Sequence, residues 1–443
     1  MDLAPLTGKQ REAVTLCTSR INIFEGSVRA GKTVSSLLAW LRFVRTGPPG
    51  NLLMAGRIQD SLKRNCLDTL AEMLGPSRCI HNMGTRELHL LGRKIYLASA
   101  NDDKAATKIA GLTLVGAYCD ELSTWPASFF RMLGSRLSSP GARLYGTTNP
   151  DAPLHWLKTG YIDRARVHLT QAGDVLVSED AEALDLSRLS FTLADNPYLP
   201  PNYIAALEAE YTGLWRKRYV EGLWVAAEGA VFDMFDAGRH VVDICPVITR
   251  WLCCAVDYGT SHPLDAVLLG LGTDRRLYVV AEFRWDSALR HRQLTDAEYV
   301  IKLRDWLASI QFPGSALHGV TPERMVIDPS ALSFKVAMRQ ARYRVWDADN
   351  DVGDGIRTVA SLLATDRLKV HRSCTDLIGE LGSYAWDESA ASRGEDKPVK
   401  AQDDAVDALR YAVFTTRQVW RGLIVPPVVP PNPQDTFGVI LQP

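Results

Sequence analysis

The 443-residue sequence has almost no net charge, since 50 Lys and Arg stand against 51 Asp and Glu. A global basic excess is therefore absent, and any nucleic-acid contact must use local patches. No run of 18 apolar residues occurs, which excludes a membrane-spanning helix. The opening stretch MDLAPLTGKQREAV is polar and lacks the apolar core of a secretory signal, so a cytoplasmic chain is expected. Eight cysteines are present, but no Cys-x-x-Cys pair, and the nine histidines are scattered. A structural zinc site is thus not expected, and the thiols should be reduced and mostly buried. No internal repeat is visible. What remains is an ordinary globular composition, 46% hydrophobic and 23% charged, long enough for two or three domains.

The first half reads as alternating strands and helices. RINIFEG is a short apolar strand, and KTVSSLLAWLRFVRTG has helical spacing that stops at Gly47-Pro48-Pro49-Gly50. NLLMAG is a second strand, and a helix follows through SLKRNCLDTLAEMLG. RKIYLASA, LTLVGAYCDE and GARLYGTTNP read as further strands. Strands alternating with helices imply a parallel α/β sheet. Residues 151–235 are less regular, with helices near 201–222, and a domain boundary is placed near 240. Beyond it, RWLCCAVDYG reads as a strand and AVLLGLGTDRRLYVVAEFRWD as an antiparallel hairpin turning at Gly272-Thr273-Asp274. RMVIDPS, YRVWDAD and RLKVHRS are later strands, and DDAVDALRYAVFTTRQ is a closing helix. The last twenty or so residues are proline-rich and expected to be extended.

Chemistry concentrates first in FEGSVRAGKT. Gly26, Gly31, Lys32 and Thr33 have the G-x-x-x-x-G-K-[ST] spacing of a phosphate-binding loop, placed between a strand and a helix. Loop amides and the helix N-terminus would cradle phosphates, Lys32 would reach the β- and γ-phosphates, and Thr33 would hold Mg²⁺. Asp120-Glu121 ends another apolar strand, one or two strands further on, where ligands of open parallel sheets bind. Asp120 would hold magnesium through water, and Glu121 would polarise the attacking water. Thr147, Thr148 and Asn149 end a third strand and could sense the γ-phosphate. Gln10 offers a donor and an acceptor suited to the adenine edge. Arg29, Arg57 and Lys108 are candidates for charge on the γ-phosphate, from the same subunit or a neighbour. WRKRY, at 215–219, is a candidate DNA patch.

The second half places carboxylates at strand ends. Asp257 closes CCAVDYG, and Asp328 closes RMVIDPS. Asp404 and Asp407 share one face of the closing helix. Acid strand, hairpin, helix, acid strand and a final acid-bearing helix make an order that suits a ribonuclease H-like nuclease fold. Hydrolysis of a phosphodiester there needs two divalent ions ~4 Å apart on carboxylates. Mg²⁺ and Mn²⁺ both prefer such oxygen ligands.

Together these motifs resemble the large terminase subunit of tailed double-stranded DNA bacteriophages. GSVRAGKT, AYCDEL and GTTNP look like its ATPase and coupling motifs. Residues 191–235 look like its linker, and AVDYG, VIDPS and DDAVDALRYA follow its nuclease motifs in order. The resemblance implies a P-loop ATPase core over 1–180, a linker or lid over 181–240, a ribonuclease H-like nuclease over 241–420 and a tail over 421–443. It implies ATP-driven threading of viral DNA into a procapsid and metal-dependent cutting of the concatemer. By position it makes Glu121 catalytic for ATP hydrolysis and makes Asp257, Asp328 and Asp407 nuclease metal ligands. Asp404 stands where some relatives carry histidine. Implied partners are double-stranded DNA, a small terminase subunit and the portal, with a ring of usually five copies on the portal and a monomer when free. The implied location is the host cytoplasm with transient docking on the procapsid, and absence from the mature virion. Two other readings are a helicase or repair ATPase and a non-enzymatic DNA-binding capsid-associated protein. The first lacks further helicase motifs, and the intact acids and Lys32 argue against the second.

Overall fold

The computed structural model describes residues 6–75, 77–82, 84–259, 263–401 and 403–426. The proline-rich segment from 427 onward lies outside them. The described chain divides into two compact units. The first comprises residues 6–200, 214–226 and 391–395, and the second comprises 201–213, 227–390 and 396–426.

The first unit carries ten strands: β1 (Ile21–Gly26), β2 (Asn51–Gly56), β3 (Cys79–Asn82), β4 (Glu87–Leu90), β5 (Arg93–Ser99), β6 (Leu114–Cys119), β7 (Arg143–Thr148), β8 (Ala165–Leu169), β9 (Val175–Val177) and β10 (Leu184–Phe191). Their order is β3-β4-β5-β2-β6-β7-β1-β10-β8-β9. The stretch from β5 to β8 is parallel throughout, and the antiparallel strands sit at the two edges. A parallel sheet must be covered on both faces. Trp40 and Phe43 of the helix Lys32–Thr46 pack with Tyr118 and Tyr145 on one side. Trp125, Phe129, Phe130 and Leu133 belong to the core on the other.

Two sequence expectations change here. Four strands, not one or two, separate the glycine loop from Asp120, because β3 and β4 form an added antiparallel edge. The sheet also runs past residue 180, since β10 pairs with β1 along its length. The segment 214–226 belongs to this unit rather than to a separate lid.

The second unit carries β11 (Val241–Val242), β12 (Ile248–Asp257), β13 (Leu264–Gly272), β14 (Leu277–Trp285), β15 (Met325–Ile327), β16 (Val345–Asp347) and β17 (Leu368–His371). Their order is β11-β17-β14-β13-β12-β15-β16. β13 is antiparallel to both of its neighbours, β12 and β14, while β15, β16 and β17 join in parallel. This is the mixed sheet of a ribonuclease H-like domain. The helix Asp404–Thr415 lies against β12 and β13 and is buried along most of its length.

Candidate functional site

β1, β7 and β6 are neighbours in the parallel sheet, so their C-terminal ends emerge together. β1 delivers the glycine loop, β7 delivers Thr147-Thr148-Asn149, and β6 delivers Asp120-Glu121. The shared cavity measures about 250 Å³ and is lined by Arg29, Lys32, Thr33, Asp120, Glu121 and Asn149, with Asn65, Val28, Thr147 and Thr148.

Backbone geometry explains the two glycines. Gly26 has φ +124°, and a Cβ there would stand 1.9 Å from the Phe191 carbonyl oxygen on β10. Gly31 has φ +87° and caps the helix Lys32–Thr46, but a Cβ there would meet only a side chain, the amide of Gln10 at 2.5 Å, and no backbone. Gly26→Ala is therefore expected to cost about 3 kcal/mol or more, since the backbone of β10 must give way. Gly31→Ala should cost nearer ~1–2 kcal/mol. Urea unfolding of the two variants checks this ranking, and a reversed order would contradict it.

Lys32 is buried and donates to the carbonyls of Gly26 and Ser27 and to Asn149 Oδ1, the last at 2.9 Å. Burial pushes its ammonium down to about 7, while Glu25, Glu121 and Asp120 pull it back up. A triphosphate's negative charge would restore the full cation. Asp120 is also buried, and desolvation raises its pKa against hydrogen bonds from Asn65 and Thr147. Asn65 Nδ2 donates to one oxygen at 2.9 Å and Thr147 Oγ1 to the other at 2.8 Å. With both oxygens engaged, Asp120 suits a metal held through water better than direct ligation. Glu121 sits in the left-handed region at φ +55°, and its N–H donates to Thr147 Oγ1. Such a strained non-glycine costs on the order of 1 kcal/mol or more and concentrates at functional sites. Thr148 Oγ1 accepts from Ser123 N–H at 3.1 Å.

Some expected roles are placed differently. Gln10 is buried behind the loop, its Oε1 accepting from Thr7 N–H and its Nε2 donating to the Asp195 carbonyl. Its amide therefore braces Gly31 from within the protein. Lys108 lines a separate cavity with Arg86 and Asp60, not the phosphate-loop cavity. The WRKRY segment is divided between interior and surface. Arg218 is buried and donates to the Val225 carbonyl and to Asp151, and Trp215 is buried and stacked on Tyr219 at 5.6 Å. Only Arg216 and Lys217 of its basic residues are exposed.

That segment supports the loop instead. Val28 N–H donates to the Tyr219 carbonyl at 2.9 Å, Ser27 Oγ donates to the Val220 carbonyl at 2.7 Å, and Trp224 Nε1 donates to Glu25 at 2.6 Å. Asn65 is a second residue that sequence reasoning missed. It sits in a five-residue π-helical turn, Lys63–Leu67, inside what reads as one continuous helix. Such turns recur at functional sites, but nothing in the sequence marks this one.

In the second unit Asp257 ends β12 and Asp328 follows β15. The preceding residues, Val256 and Ile327, are paired in parallel, so the two acids leave adjacent strands side by side. The Asp404–Thr415 helix packs on the sheet beside them, and Tyr411 OH donates to Asp328 Oδ2 at 3.0 Å. Burial, together with Asp407, Asp404, Asp328 and Asp403, pushes Asp257 up to about 8. The charges of Asp328, Asp404 and Asp407 thus all reach Asp257, and that of Asp403 with them.

They do not form a closed cage, because among the described residues no three acidic, His or Cys side chains already stand in metal-holding geometry. Three of the acids, Asp407, Asp328 and Asp404, are held by protein partners instead. Arg410 grips Asp407 at 2.7 and 3.0 Å, Ser330 donates to Asp328, and Arg284 lies 3.4 Å from Asp404. Arg284 also meets Asp265 at 3.0 Å and Glu380 at 2.9 Å. Glu380 in turn accepts from Ala405 and Val406 N–H, capping the acid-bearing helix. Asp265 lies directly across from both Asp257 and Arg284 in the sheet. It is fully buried, and neither of its oxygens receives a directed hydrogen bond. Burial therefore outweighs Arg284 and pushes it up to about 9. Neither Asp265 nor Arg284 was marked by the sequence.

Comparison with known proteins agrees with both units. Residues 23–239 match the N-terminal domain of T4likevirus-type terminase large subunits, and residues 323–415 match the terminase RNaseH-like domain. The terminase large subunit of Escherichia phage T5 is 22% identical over 235 residues, which are 51% of this chain and half of that protein's length. The solved large terminase of a thermophilic bacteriophage is 32% identical, with a TM-score of 0.82 over 93% of this chain and 99% of that one. The same thermophilic phage protein has also been solved with ADP and with ATP-gamma-S, at TM-scores of 0.81 and 0.80. The chain belongs to the large terminase subunits of bacteriophages, DNA-packaging enzymes that join an ATPase domain to a ribonuclease H-like nuclease domain.

Proposed function

We propose that this chain hydrolyses ATP at the β1–β7–β6 cavity to drive double-stranded DNA into a procapsid, and cuts that DNA at the Asp257 cluster. The observation that carries the first half is the convergence of the glycine loop, Lys32, Asp120-Glu121 and Asn149 on one cavity. Amides of residues 27–33 and Lys32 bind the phosphates, and Thr33 with Asp120 would hold the Mg²⁺. Glu121 orients and deprotonates the attacking water. Asn149 is bonded to Lys32, so phosphate arrival at Lys32 is felt at the end of β7. Arg29 lines the cavity and is the nearest candidate for charge on the γ-phosphate. Gly26 and Gly31 shape the loop, with Gln10 behind it, and Thr148 fixes the turn after Glu121.

The second half rests on an all-oxygen donor set whose members repel one another. Asp257, Asp328, Asp404 and Asp407 would hold Mg²⁺ or Mn²⁺, both of which such donors suit. Bound there, the cations would neutralise the attacked phosphodiester. Arg410 and Arg284 meanwhile keep the acids compatible before metal arrives. Packaging further calls for a small-subunit partner and for a ring of copies at the portal, five being the family's pattern. Among the described residues no helix is long and apolar enough to cross a membrane.

Glu121→Gln separates binding from chemistry. The variant should bind ATP with near wild-type affinity and lose turnover by about a hundredfold or more. Measured by fluorescent-nucleotide binding and phosphate release, turnover within a factor of about three of wild type would remove Glu121 from its assigned role.

A further inference from the structure

The second unit holds another cavity, about 380 Å³ in volume, far from its carboxylates. Its lining includes Arg357, Arg367 and Arg421 with one acid, Glu210, and the hydroxyl residues Thr358 and Ser361. The place is set by sheet register. Leu277 pairs with Leu368 at one end of β14, and Arg284 pairs with Asp265 at the other. Arg367 adjoins Leu368, so the cavity lies roughly 23 Å from the Asp257 end, at about 3.3 Å per strand residue.

The guanidinium groups are held there at a cost. Arg367 is only 8% exposed. Its Nε donates to Thr365 Oγ1 at 2.7 Å, but its Nη2 reaches Glu210 and Ser361 only at 3.4 and 3.5 Å. Those long contacts leave most of a five-donor fork weakly used. Burial lowers the Arg367 pKa, and the charge of Arg421 lowers it further while Glu210 raises it. Arg357 is neutralised by Asp354 on its own helix. Three cations thus face two acids, with Arg367 and Arg421 near enough to repel each other. A tetrahedral oxyanion would relieve that repulsion and take bidentate hydrogen bonds from Arg367.

We propose that this arginine-lined cavity is a phosphate-binding site, distinct from both the nucleotide cavity and the nuclease acids. Its ligand chemistry is a phosphate oxyanion, carried either by free pyrophosphate or orthophosphate or by the backbone of duplex DNA. The exposed Arg421 supplies the entrance charge, Arg367 the buried anchor, and Glu210 the competing acid that sets affinity.

The test uses the full chain carrying Lys32→Ala, so that the glycine loop contributes nothing, in EDTA so that neither metal binding nor cutting intervenes. Pyrophosphate and a short blunt DNA duplex are titrated separately by calorimetry. Arg421→Gln, at an exposed position that should not disturb folding, is expected to weaken the responsible ligand by about tenfold or more. Glu210→Gln should strengthen it several-fold. A response of pyrophosphate to both changes identifies a free-phosphate site. A response of the duplex alone identifies a backbone-phosphate site. If neither ligand responds to Arg421→Gln, or if Glu210→Gln weakens rather than strengthens binding, the proposal is overturned.

Discussion

Lys32→Ala is expected to reduce ATP turnover by about a thousandfold or more while plasmid cleavage in Mn²⁺ persists. Lys32 is buried against the loop, and its ammonium bridges Gly26, Ser27 and Asn149. Removing it deletes the charge on the β- and γ-phosphates and unties β7 from the loop. Cleavage should survive because the carboxylates of β12 and β15 belong to a separate compact unit. Phosphate release and plasmid linearisation, assayed on the same preparation, check both halves. Turnover within about tenfold of wild type would refute the loop assignment.

Asp257→Asn is expected to do the reverse, abolishing cleavage to about a thousandth or less while ATP hydrolysis continues. Its effect on stability should have the opposite sign to its effect on activity. Asp257 is pushed up to about 8 in the folded protein, above its ordinary value of 3.8. Between those values the folded state binds more protons than the unfolded one, so metal-free stability falls as pH rises from about 4 to 8. Asparagine carries no such penalty. The metal-free variant should therefore be more stable than wild type at pH ~8 and lose less stability over that interval. Thermal unfolding at pH ~5 and pH ~8 in EDTA measures this. A variant that is less stable at both pH values would mean that Asp257 is a structural acid rather than a crowded one.

The parts of these sites that were legible in the sequence are those fixed by short-range spacing. Gly26 to Thr33 must be contiguous to wrap a phosphate, and Asp120 and Asp328 each follow an apolar strand. The β13–β14 hairpin was equally legible, since Gly272-Thr273-Asp274 punctuates two apolar runs. Elements set by tertiary pairing were not. β3 and β4 are four-residue edge strands with only alternate burial, too short for periodicity to speak. β10 completes the sheet beside β1, but it follows an irregular stretch that reads as linker. Asp265 and Arg284 come near the acid cluster only because register places Asp265 opposite Asp257 and Arg284 opposite Asp265. WRKRY shows three cations and two aromatics by composition, whereas packing turns Arg218 and Trp215 inward and leaves only Arg216 and Lys217 of its cations exposed.

The central claim is that one chain carries two independent active sites, and its less direct half is the metal-dependent one. Anomalous diffraction from Mn²⁺-soaked crystals of the full chain tests it most directly. The account predicts two peaks about 4 Å apart, ligated by Asp257, Asp328 and acids of the Asp404–Asp407 turn, with Arg410 drawn off Asp407. Manganese bound elsewhere, with these acids still held by Arg410, Arg284 and Ser330, would contradict it.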